Sequence, residues 1–208
     1  MRTIKSWWLI LAFVSGFAFA MVAEDLLVKW RADRLELSAP NVHFLGGKPL
    51  ALLRNAEAVP FDFQVTVFSG NREHVFARHF DEFVISFGLW EEKFRVVKTQ
   101  SPRKIIDHLS ATDAEQWCWK EMALDLTGLG NAEPFWMRVE IRAQDAKDGS
   151  LFGRGNISES GISLAGLIEA FSRPARLQQS HWGPFLAGPY TLDGLKRDES
   201  RQILRRGF

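Results

Sequence analysis

With 208 residues and 46% hydrophobic content, the chain is long enough for one folded domain with extensions. Twenty-six basic residues against twenty-five acidic leave a net charge of +1, which excludes a nucleic-acid binder driven by a basic surface. Cys118 stands alone, so no internal disulfide can form.

Arg2 and Lys5 precede an uncharged, mostly apolar run over residues 7–23. Ala18-Phe19-Ala20 offers the small residues that a signal peptidase accepts, which predicts a signal peptide cleaved after Ala20. The rival is an uncleaved anchor. The run sits at the short end of the roughly 17–25 residues that span a bilayer as a helix, and Trp7-Trp8 suits a membrane interface. Under either reading the positive charge before the run places the rest of the chain outside the cytoplasm. The expected location is therefore extracytoplasmic or periplasmic, with membrane association through residues 7–23 if they are retained.

Residues 24–33 are charged and read as a stalk. A β-rich domain follows over 34–145. Leu35 to Ser38 alternates as its first strand, and Pro49 to Ala58 reads as a short helix, since proline suits a first helical turn. From Pro60 to Lys98 comes a meander. Phe61-Asp62-Phe63-Gln64-Val65-Thr66-Val67 alternates strictly, Ser69 to Arg72 turns, His74 to Trp90 runs extended, and Phe94 to Lys98 returns after Glu91-Glu92. The second of these strands is apolar on both faces near its end, which predicts a central position under a covering helix.

A short strand over Pro102–Leu109 precedes a capping box, Thr112 with Glu115, and a helix carrying Trp117, Cys118 and Met122. One of Trp117 and Trp119 is expected at the rim of the core, because residues two apart on a helix cannot both face it. Phe135 to Arg142 alternates as the last strand. The predicted class is mainly β: an antiparallel meander, sandwich-like in the immunoglobulin manner, with one packed helix. The alternative is an α+β arrangement, a single sheet covered by helices.

Residues 146–208 read as an extension that cannot bury a core of its own. Gly161 to Phe171 suits a small amphipathic helix, Gly183-Pro184-Phe185 and Gly188-Pro189-Tyr190 repeat a Gly-Pro-aromatic turn, and residues 192–208 form a basic surface helix. The extension is expected to dock on the domain up to about Tyr190.

The order of these elements, from export signal through Val59-Pro60-Phe61, the Ser110–Glu115 cap, the Trp-bearing helix and Leu124-Asp125-Leu126 to a closing Arg/Val strand, resembles a bacterial family of exported proteins known as a domain of unknown function. The resemblance covers about residues 34–145. It implies an exported, mostly β domain and carries no activity with it.

Chemistry finds little purchase in the sequence. His74 and His79 are five apart on a strand, hence on opposite faces unless a bulge intervenes, and His43, His108 and His181 lack the short-spaced partners of a zinc site. Asp81-Glu82 and Glu91-Glu92 read as solvated turn charges, since adjacent strand residues point apart. No nucleophile elbow or phosphate-binding loop appears. The sequence therefore predicts no catalytic residue, metal site or cofactor.

What remains is the aromatic set of Trp182, Phe185 and Tyr190. It serves either as a partner-binding surface or as cover for a sheet edge. The expected function is a non-catalytic accessory or interaction domain binding another envelope or membrane protein. The alternative is a small-ligand binder or enzyme with a pocket between sheet and helix, near Trp117 and Trp119.

Overall fold

A computed structural model describes residues 26–31, 34–70, 72–122, 124–144 and 179–206. The apolar run, the expected cleavage site and the expected Gly161–Phe171 helix lie outside the described residues. Strict alternation in Phe61–Val67 becomes β3 (Val59–Ser69), the middle of a six-stranded sheet. Around it stand β4 (His74–Gly88), β5 (Lys93–Lys98), β6 (Lys104–Leu109), β7 (Phe135–Ala143) and β8 (His181–Tyr190), in the order β6-β5-β4-β3-β7-β8. Every pairing is antiparallel.

The protein is mainly β with antiparallel sheets, as the alternation predicts. Its second layer is built from helices and a two-stranded ribbon. β1 (Leu27–Arg31) pairs with β2 (Arg34–Ser38) to form that ribbon, so part of the expected stalk is a strand. Helix α1 (Gly47–Arg54) packs on β3 and β4, α2 (Ala111–Glu121) on β2, β5 and β6, and α3 (Leu192–Arg206) on β1.

One face of the sheet carries Phe61, Phe63, Val65, Phe83, Ile85, Val96, Val139 and Ile141, all fully buried. Cross-strand partners share a face, so Phe61 beside Phe83 and Phe63 beside Ile141 lay continuous apolar ground under α2. Phe44, in the loop before α1, stacks on Phe61 and Phe63 at 5.1 and 5.4 Å. Trp119 stands edge-on to Phe63 at 5.6 Å and Trp117 to Phe83 at 6.0 Å. Trp119 and Cys118 are buried while Trp117 is half-buried, so Trp117 takes the rim. The meander's cover is thus α2, lying on the Phe83 face.

Three local expectations shift. The N-cap of α2 is Ser110, not Thr112. The Ser110 hydroxyl accepts from Asp113 N at 3.2 Å and donates to the Asp113 carboxylate at 2.6 Å, a capping pair two residues earlier than the one foreseen. Helix α1 stops at Arg54 because Ala56 turns to φ 62° and Glu57 N bonds back to Leu52 O. The boundary expected near Asp145 is not an edge of the fold, because β8 hydrogen-bonds to β7 and completes the same sheet.

The Gly-Pro-aromatic repeats are bulges, not turns. Between Phe135 and Met137 on β7, β8 advances from Tyr190 back to Ala187, one residue more; between Val139 and Ile141 it advances from Phe185 to Trp182. Gly183 and Gly188 sit at φ 99° and 119°, where a Cβ would lie 2.7 Å from Val139 O and 2.8 Å from Phe135 O. Only glycine lets β8 approach β7 this closely.

Candidate interaction surface

The bulges decide where the predicted aromatic site points. Trp182 lies within 6.2 Å of both Phe44 and Phe61, Phe185 stands 6.4 Å from Trp119, and Tyr190 stands 5.9 Å from Phe135. All three are half-buried and pack against the core. Of the two readings, cover for the sheet describes their geometry. The exposed large apolar side chain of β8 is Leu186.

Of the carboxylates read as solvated turn charges, Glu91 and Glu92 stand exposed in the turn after β4, whereas Asp81 and Glu82 are buried. Asp81 and Glu82 lie mid-strand in β4, both about 1% exposed. Asp81 pairs across to Phe63 and so faces the core side; Glu82 pairs with Asp62 on the other face. Asp81 is held there by charge. Lys98 Nζ lies 3.0 Å from its Oδ1 and His79 Nε2 2.8 Å from its Oδ2. The Lys98 ammonium also donates to Glu121 O at 2.7 Å, so it caps the C-terminal end of α2, where a cation is favoured by the helix dipole. Lys104 pairs with Glu121 beside it. Sequence alone misses this centre because its members come from β4, β5 and α2, and a buried Asp looks like a surface one until its partners are placed.

Glu115, foreseen as half of a capping box, is buried and accepts from Leu45 N at 2.8 Å and pairs with His43 Nδ1 at 2.9 Å. It ties the Phe44 loop to α2. The extra residue Phe76 in β4 is a bulge between His74 and His79, which brings the two onto one face. Their β3 partners, Ser69 and Val65, remain four residues apart, roughly 13 Å along the strand. Among the described residues no group of three or more His, Cys, Asp and Glu is placed to hold a metal ion. Burial, with Glu115 nearby, pushes the Cys118 thiol well above its ordinary pKa, so it stays protonated and inert.

The exposed aromatic is one the sequence placed in a covered strand. β4 and β5 meet at the turn Leu89-Trp90-Glu91-Glu92, with Glu92 at φ 52°. Trp90 is 100% exposed and Leu89 52%. Beneath them Phe87 and Phe94 stack at 4.9 Å and brace the hairpin. Alongside runs the edge strand β6, whose outer side meets no strand among the described residues. It is guarded against strand addition by a bulge at Asp107-His108, with His108 at φ 61°, and by Lys104. Side chains at the tip, not the backbone edge, are what this end of the sheet presents.

No protein-family model matches the chain, and neither does any curated protein or solved structure. Among the described residues no helix is long and apolar enough to cross a membrane.

Proposed function

We propose that this chain is a non-catalytic, extracytoplasmic accessory domain that docks on another envelope or membrane protein through the β4–β5 tip. The observation that carries the reading is Trp90, fully exposed beside half-exposed Leu89 on a braced hairpin. An indole buries about 150–250 Å² when it enters a pocket, a gross gain of about 4–6 kcal/mol before ordering costs. Trp is also among the residues most often found as interface anchors. The turn holds the ring out on a short, rigid loop, so little entropy is lost on docking. Glu91, Glu92 and Lys93 beside it supply a polar rim.

A photo-crosslinking residue at position 90, and a second at the exposed Leu186 on the opposite edge, test this in the native envelope. A discrete adduct from position 90 that is absent from position 186 is expected. Monomer alone from both positions would sink the reading. Export is part of the same proposal, and a C-terminal reporter that matures only in an oxidising compartment is expected to be active.

A further inference from the structure

The buried centre on β4 and β5 holds an amine against a carboxylate in dry surroundings. Lys98 pairs with Phe83 across the hairpin, so its side chain reaches diagonally to Asp81, two residues back on the same face of β4. Both side chains are buried. Fully buried Phe63 stands opposite Asp81 on β3, and the Phe83 ring centroid lies 5.9 Å from Lys98 Nζ. Nζ sits 3.0 Å from Oδ1, and the carboxyl carbon Cγ is one covalent bond beyond, so little movement brings the two together. Oδ2 meets His79 Nε2 at 2.8 Å; a carboxylate has no hydrogen to give, so that nitrogen donates. Two of the three ammonium hydrogens go to Oδ1 and to Glu121 O, leaving the third to the Phe83 ring. The Glu121 carboxylate is taken by Lys104, so Asp81 is the acid that Lys98 meets.

We propose that Lys98 and Asp81 condense into an intramolecular isopeptide bond that staples β5 to β4. Passage of one proton from the ammonium to Oδ1 turns the ion pair into an amine and a carboxylic acid, which an apolar setting favours over two charges. The Nζ lone pair then attacks Cγ, and the carbonyl electron pair moves onto Oδ2, where the His79 N–H meets the developing negative charge. Oδ1 takes a second proton from Nζ and leaves as water, and the pair on Oδ2 rebuilds the carbonyl. One C–N bond forms, one C–O bond breaks, and nothing is oxidised or reduced. The product keeps the contacts already in place: its single N–H donates to Glu121 O, and its carbonyl accepts from His79. His79, 33% exposed, gives the water its way out. The step is a one-time self-modification without turnover. It closes the open end of the hairpin whose other end carries Trp90, and it needs no partner, so crosslinking at position 90 does not bear on it.

Mass spectrometry of the full-length chain, purified folded and then denatured and digested with trypsin, reads the bond directly. Peptides 79–93 and 96–103 are expected as one branched species, lighter than their sum by one water, with no cleavage after Lys98. Two linear peptides cut after Lys98, from protein with native circular dichroism, would leave an ion pair only and overturn the proposal. Lys98→Arg keeps a cation beside Asp81 but removes the amine nucleophile, so its digest should be linear. A dehydrated branched species in Lys98→Arg would assign the link to other residues and overturn it too. In freshly made protein, His79→Ala should slow the appearance of the branched species about a hundredfold, and His79→Gln, which keeps an N–H donor, should recover part of that rate. An unchanged rate in natively folded His79→Ala would overturn the role given to His79.

Discussion

The two edges of the six-stranded sheet are secured by different physics. The β8 edge is held by rings: Trp182, Phe185 and Tyr190 turn inward onto Phe61, Trp119 and Phe135, and two Gly-Pro bulges bring the strand close. The β5–β6 side is held by charge. Lys98 and His79 grip buried Asp81, Lys104 pairs with Glu121, and Arg95 meets Asp107 at 3.1 Å. Apolar packing consumes the aromatic side chains it uses. Ion pairing leaves them free, and Trp90 stands out on the charged side. The edge whose sequence looks most like a binding site is therefore the sealed one.

The largest effect expected from this contrast is that of truncation after Gln144. It strips β7 of its partner and uncovers Phe61 and Phe135, so the product should aggregate or lose its native circular dichroism. A monomeric, natively folded fragment would show that the β8 edge is dispensable. Next comes Lys98→Met, which leaves Asp81 buried without its ammonium and should cost about 3–5 kcal/mol in urea denaturation. The double variant Asp81→Leu/Lys98→Met should recover much of that loss; if it falls further, the centre contributes more than mutual neutralisation.

Smaller is Gly188→Val. It places a Cβ against Phe135 O at positive φ, and roughly 2–4 kcal/mol of destabilisation is expected. A neutral result would mean that the bulge relaxes without β8 leaving β7. Smallest is Trp90→Ser. A fully exposed ring supports nothing within the fold, so stability should change by less than about 0.5 kcal/mol. Partner crosslinking, moved to the neighbouring position 89, should nonetheless disappear. A stability loss above about 1 kcal/mol would place Trp90 in the structure after all.

Much of the sheet was legible in the sequence because period-two alternation is a local signal. Phe61 to Val67 and Phe135 to Arg142 announce their buried faces without help from any other segment. What escaped depends on distant partners. Leu27-Val28-Lys29-Trp30-Arg31 reads as a charged stalk, and only pairing with β2 and packing by α3 make it a strand. Asp81 reads as a turn charge until Lys98 arrives from β5. Gly-Pro pairs signal a break in regular backbone, and whether that break is a turn or a bulge is settled by the neighbouring strand. At the candidate site the same limit applies. The aromatic cluster after residue 180 was visible, but burial is a property of the assembled sheet, which leaves Trp182 half-buried and Trp90 exposed.

The packing of α3 on β1 joins the last helix among the described residues to the first strand among them, with Lys196 over the ring of Trp30. In kinetic terms that contact closes a loop of almost the whole sequence, and β7 likewise waits for β8 across a long excursion. Such separations raise contact order, so folding should be slow for a domain of this size. It should also finish only after β8 and α3 have been synthesised. Until then β7 presents an open edge, exposed to strand addition from another chain.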